Sequence, residues 1–192
     1  MILTVTGPSA SGKTSLARAL RLRLHGAVVL NSVTTRGPRP SDLPGEYRYE
    51  MQEEFSKMKQ RDEFLWTVEV HGNRYGTRKQ DIEAVVKDKF AIGILTIDAV
   101  GKLRAYLEKR DMLDKIFSVY LDVVDENLLI ERLNKRGDKQ ADIELRINEC
   151  RSWAREREAS GIPFMILDAR EDSSLLVQKV INAINNPAPE NP

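Results

Sequence analysis

The sequence predicts an α/β fold: a three-layer parallel sheet carrying an inserted lobe of small mixed strands and a helical lid. Three observations predict it. Short apolar runs alternate with stretches of helical periodicity, the pattern of a parallel sheet wrapped by helices. A glycine-rich octet joins the first apolar run to the first helix. The alternation breaks twice, once in a segment rich in Arg, Pro and Tyr and once in a very charged stretch.

Taken in order, the strand candidates are residues 2–6, 27–30, 90–97, 117–121 and 164–167. Helical stripes run through Leu16, Leu20 and Leu24, through Ile82, Val85 and Val86, through Leu103 and Leu107, and through Leu129 and Leu133. The last, Leu176, Val177, Val180, Ile181 and Ile184, keeps clear 3.6-residue spacing. All read as core-facing. Residues 32–77 contain no clean strand–helix–strand unit and read as a lobe resting on the sheet's carboxyl edge, where open α/β sheets bind ligands. Residues 132–159 read as two helices joined at Gly137, polar enough to be a mobile lid. The core is then residues 1–31, 78–131 and 160–185, with a disordered tail at 186–192. There is no internal repeat and no heptad array.

Composition narrows the function. Lys and Arg number 30 against 29 Asp and Glu, so bulk charge gives no case for nucleic acid or an anionic membrane. The single cysteine, Cys150, excludes an internal disulfide framework and agrees with a reducing compartment. No apolar run approaches twenty residues and no leader-like N-terminus is evident, so a soluble, cytoplasmic protein is expected, as a monomer or homodimer. His25 and His71 lack partners at metal-ligand spacing and read as structural or solvated.

Gly7-Pro8-Ser9-Ala10-Ser11-Gly12-Lys13-Thr14 matches G-x-x-x-x-G-K-[ST] between a strand and a helix, the setting of a phosphate-cradling P-loop. The glycines let backbone amides turn in around a triphosphate, Lys13 reaches its outer phosphates, and the Thr14 hydroxyl can ligate Mg²⁺. The helix that follows points its positive end at the anion. Downstream, Arg36 and Arg39 lie three apart on a proline-stiffened loop and can turn two guanidinium forks towards one anion. Tyr47 and Tyr49 add neutral donors nearby. Asp98 is either an outer Mg²⁺ or acceptor contact or the N-cap of the following helix.

Four stretches together resemble the guanylate kinase family of nucleoside monophosphate kinases: the P-loop octet, Ser32-Val33-Thr34-Thr35-Arg36-Gly37-Pro38-Arg39-Pro40, His71-Gly72-Asn73-Arg74-Tyr75-Gly76-Thr77, and Glu131-Arg132-Leu133-Asn134-Lys135-Arg136-Gly137. The resemblance implies a P-loop core, an acceptor-binding lobe and a lid. It implies transfer of the γ-phosphoryl of Mg·ATP onto a nucleoside monophosphate, GMP foremost. In that scheme Arg36, Arg39, Tyr47 and Tyr75 grip the acceptor phosphate, with Ser32 and Thr77 near its base. Lys13 and Thr14 serve ATP and Mg²⁺, and Arg136 and Arg146 close over the transferring group.

The resemblance is incomplete at the base. The family places a glutamate after the Phe-Leu of this region, and here that position is Trp66. It also has Asp-x-Asp where this chain has Thr96-Ile97-Asp98. Trp66 could stack on a base, block one, or be a core aromatic. Glu69, three residues on, points to the other side of a strand. Two alternatives stand beside the nucleotide reading. One is a kinase of the same superfamily acting on a phosphorylated sugar such as ribose 1,5-bisphosphate. The other is a non-catalytic module holding a phosphorylated peptide, which the intact Gly12-Lys13-Thr14 disfavours. A GTPase switch lacks an N-K-x-D motif.

Overall fold

In the computed structural model, which describes residues 1–40, 42–70, 72–123 and 125–186, two sheets form. The larger is the parallel one, built from β1 (Ile2–Thr6), β2 (Val28–Val29), β7 (Ala91–Ile94), β8 (Ile116–Asp122) and β9 (Met165–Asp168) in the order β2-β7-β1-β8-β9. β1 therefore lies at its centre, between β7 and β8. Alternation along β1 supplies both faces of the core. Leu3 and Val5 pack with Leu16 and Leu20 of α1 (Lys13–Arg23) and with Val177 and Val180 of α7 (Ser173–Asn185). Ile2 joins the opposite cluster, with Ile82 of α3 (Lys79–Asp88) and Leu103 of α4 (Ile97–Glu108). A parallel sheet buried on both faces is what near-continuous apolar strands require.

The second sheet is the lobe. β3 (Ser32–Thr34) pairs in parallel with β4 (Tyr47–Tyr49) and antiparallel with β6 (Asn73–Arg78), which pairs antiparallel with β5 (Phe64–Val70). α2 (Gln52–Gln60) covers it, burying Phe55 and Met58 against Val33 and Phe64. The Phe55 and Phe64 rings stack at 4.6 Å between centroids. Phe64 in turn lies against the backbone of Gly76, where an added Cβ would meet its ring at 2.7 Å.

After β8 the chain enters α5 (Glu126–Arg136), which ends at Gly137, and α6 (Gln140–Ala159). Leu129, Leu133, Ile143 and Cys150 form their shared core. Cys150 is buried there, and burial pushes its thiol up, away from the thiolate a nucleophile needs.

Some boundaries move. The strand expected over 90–97 ends at Ile94, because Thr96 turns the chain into α4 by accepting the Ala99 amide at 3.3 Å. Thr96, not Asp98, is therefore the cap. The edge strand expected over 27–30 shortens to two residues, and α1 begins at Lys13 and ends at Arg23, one residue before Leu24. α2 was not expected at all. Expectations for His71 and for tail residues 187–192 fall outside the described residues; Asn186 closes α7 as its C-cap. His25 is exposed. Among the described residues no helix is long and apolar enough to cross a membrane.

Gly76→Ala should lower unfolding free energy by about 1–3 kcal/mol, because the new methyl must displace a ring already stacked on Phe55. A denaturant titration reads it; unchanged stability would mean that Phe64 is free to move.

Candidate active site

The P-loop leaves the C-terminal end of the central strand. Gly7 has φ +148°, and a Cβ there would meet the Leu121 carbonyl at 2.6 Å, so only glycine lets the loop pass this close to β8. Arg132, on α5, holds the loop from its protein side. It donates to the carbonyls of Ala10 and Ser11 at 3.3 and 3.1 Å and to that of Ala169 at 2.8 Å. α1 starts on Gly12 with no side-chain cap and no acidic residue in its first turn. Its first amides thus lack intrahelical partners and offer an anion site. Lys13 donates to the Pro8 carbonyl at 2.6 Å. Burial, then the nearby Arg136 and Arg146, push its ammonium down to about 8.

Thr14 sits beside Lys13 in the first turn of α1. Among the described residues no cluster of His, Cys, Asp or Glu could hold a metal. A donor set of one hydroxyl fits a small hydrated cation brought in by phosphates, the habit of Mg²⁺, and not a protein-caged metal.

Opposite the P-loop stand the arginines of α5 and α6. Arg136 pairs with Asp138, and Arg146 pairs with the same carboxylate at 3.0 Å while donating to Ser9 Oγ at 2.6 Å. Asp138 thus holds two guanidinium groups over the loop, and they hold its carboxyl below the usual range. Sequence reasoning assigned roles to both arginines and none to Asp138 or Arg132.

The lobe arginines are arranged differently from one another. Arg36 is buried, its guanidinium 4.7 Å from the Tyr47 ring centroid. It binds Asp42 through both terminal nitrogens, at 3.0 and 2.6 Å, and the Gly37 carbonyl at 2.7 Å. Asp42 also accepts from the Arg39 amide at 2.7 Å and the Tyr49 hydroxyl at 2.6 Å. Burial alone would raise this carboxyl, but the Arg36, Tyr49 and Arg39 contacts outweigh it and hold it at about 2. The Arg39 side chain is exposed at the cleft, and Tyr75 meets Tyr47 edge-on at 6.1 Å. Burial, then Glu46, keeps the Tyr47 hydroxyl protonated well above its ordinary range. Asp42 had no sequence signal beyond its place six residues after Arg36.

These groups share one cleft of about 1030 Å³. Gly7, Ser9 and Lys13 line it from the P-loop; Ser32, Arg36, Arg39, Tyr47, Tyr75 and Thr77 from the lobe; Arg136 and Arg146 from α5 and α6. Ser32 and Thr77 hydroxyls lie 3.1 Å apart. Trp66, paired with Thr77 across β5 and β6, lines the cleft and belongs to the core as well. α6 adds Glu149 and Trp153, which no sequence motif marked. Asp98 is not brought to the cleft. Its carboxylate is exposed and accepts from Lys102 at 2.7 Å, on the outer side of a first turn whose other residues, Ile97, Ala99 and Val100, are buried.

A cleft joining an uncapped P-loop helix to a second arginine cluster defines a P-loop phosphotransferase, and the relatives make the class a nucleoside monophosphate kinase. The guanylate kinase family profile matches residues 1–170. A guanylate kinase of Thermotoga maritima is 34% identical over 152 residues, 78% of this chain and 71% of that one. One of Wolinella succinogenes is 31% identical over 180 residues, 92% of this chain and 81% of that one. The crystal structure of guanylate kinase from Anaplasma phagocytophilum matches the fold with a TM-score of 0.69 at 21% identity, covering 96% of this chain and 84% of that one. The chain belongs to the guanylate kinase family.

Asp42→Asn should cost about 2 kcal/mol at neutral pH, since Arg36 then loses its charged partner in a buried place. The folded carboxyl titrates below its unfolded value of 3.8, so the contribution is full above about pH 4 and lost as pH falls towards 2. Parallel denaturation curves should converge at acid pH; a pH-independent difference would contradict the assignment.

Proposed function

We propose that the protein transfers the γ-phosphoryl group of Mg·ATP to the phosphate of a nucleoside monophosphate, with GMP as an acceptor, giving two diphosphates. The observation that carries this reading is the single cleft lined at one end by Lys13 and Ser9 and at the other by Arg36, Arg39, Tyr47 and Tyr75. Two anions of like charge repel, and each end of the cleft supplies the cations and hydroxyls that offset the repulsion. In the proposed scheme Lys13 and the first-turn amides of α1 take the triphosphate. Bound Mg²⁺, on the Thr14 hydroxyl, would neutralise charge on the transferring phosphates. Arg36, turned by Asp42, and the free fork of Arg39 orient the acceptor phosphate in line. Arg136 and Arg146 come over the junction, stabilise charge developing on the transferring group and shut out water that would otherwise take the phosphoryl.

The direct test is GDP and ADP formation from GMP and ATP with Mg²⁺; absence of both products at millimolar substrates would refute the reading. Two kinetic signatures accompany it. Arg36→Ala should raise the KM for the acceptor by about tenfold or more and leave the KM for ATP within about twofold, from loss of charge-assisted bonds at one end of the cleft only. Equal effects on both substrates would remove Arg36 from the acceptor site. The KM for ATP should be flat at neutral pH and rise as pH passes about 8, because there the free enzyme's Lys13 loses the proton that ATP binding requires. A flat profile to pH 9.5 would contradict it.

A further inference from the structure

The part of the cleft that receives the acceptor beyond its phosphate is uncharged. Trp66 is 5% exposed, and what remains open faces the cleft beside Val68 and Val70 of the same strand. Leu95, between β7 and α4, and Ala99, in the first turn of α4, complete the apolar wall. The polar side chains here are uncharged: the hydroxyls of Ser32 and Thr77, 3.1 Å apart, that of Thr96, which already accepts the Ala99 amide, and the carboxamide of Asn73, paired with Val70 at the far end of the β5–β6 ladder. Among the described lining residues two carboxylates occur, Asp138 and Glu149, both from the other wall, and Asp138 is held by Arg136 and Arg146. Nearby acids turn away. Glu69 lines a separate groove on the outer side of β5 with Lys59 and Arg74, and Asp98 is paired to Lys102 in solvent.

Bases are told apart by the donors and acceptors on their edges. Guanine presents two adjacent donors, and a fixed carboxylate would read them strongly. Hydroxyls rotate to donate or accept, the Asn73 carboxamide carries both a donor and an acceptor, and the one polar atom of an indole only donates. An indole's apolar surface serves any aromatic ring, purine or pyrimidine. We propose that Trp66 makes the acceptor site permissive: the arginine and tyrosine cluster selects a monophosphate, and the uncharged aromatic wall accepts different bases with little preference. The proposal rests on the nucleoside monophosphate kinase activity above and adds its specificity. Sites that hydrogen-bond a substrate edge discriminate by about 10⁴ or more, whereas apolar pockets discriminate by about a hundredfold at most.

The test is kcat/KM for GMP, AMP, CMP and UMP with ATP and Mg²⁺, with ribose 1,5-bisphosphate alongside. The four monophosphates should fall within about a hundredfold of one another. A larger preference for GMP over the other three overturns the proposal while leaving the kinase activity standing. Turnover of none of them refutes the activity itself, and turnover of the bisphosphate alone moves the acceptor to a sugar. Trp66→Glu should raise the GMP-to-AMP ratio by about tenfold or more, and Trp66→Phe should leave it within about threefold of the parent. An unchanged ratio in a folded Trp66→Glu protein overturns the role of Trp66. Should that variant not fold, the parent's ratios and Trp66→Phe decide the matter.

Discussion

Everything in the cleft answers to the positive charge gathered there. Lys13 lies within the field of Arg136 and Arg146, and with burial they bring its ammonium to about 8. Such crowding disfavours the folded chain by itself. It is tolerable because aspartates spread the load: Asp138 spans Arg136 and Arg146, and Asp42 holds Arg36. Each carboxylate keeps its arginines in a fixed orientation without emptying them of donors, since a guanidinium carries five N–H groups. In the proposed scheme, the same charges that cost stability in the free protein become the attraction when two phosphorylated ligands enter.

This arrangement also explains why the two arginine clusters look unlike one another. Arg36 is locked by four contacts, the Tyr47 ring beneath it included, so its orientation is preset. Arg136 and Arg146 are tied to the P-loop by a single bond, from Arg146 to Ser9. Groups held by few bonds open more readily than groups held by many.

Much of the fold was legible because parallel strands buried on both faces must be apolar and short, and helices on both sides must carry 3.6-residue stripes. β1, β8 and β9 fell within a residue or so of expectation for that reason. α2 was not read because its buried face is only Phe55 and Met58, too few for a stripe; Glu53 and Glu54 in its first turn and Lys57 and Lys59 in its last were the remaining signal. The end of β7 was misjudged because Thr96 and Ile97 suit strands by propensity, while the Thr96 hydroxyl instead serves as a cap. At the site, the P-loop and the lobe arginines announced themselves by spacing. Asp42 and Asp138 did not, because the bends that bring them to nearby arginines match no short motif, and Arg132 and Trp153 did not, because their places depend on the tertiary fold. Asp98 showed the converse: a carboxylate in a suggestive sequence position that the helix turns outward.

The Arg132 clamp ties an early segment of the chain to a late one. It fastens carbonyls of residues 10 and 11 to that of Ala169, just past β9, and β1 finds both of its neighbours in strands that come some ninety and more residues later. A growing polypeptide emerging from the ribosome therefore makes its phosphate loop early but lacks the pieces that shape it until most of the chain has been synthesised. Nucleotide capture is a property of the finished molecule, and a prematurely terminated product would carry the motif without the grip.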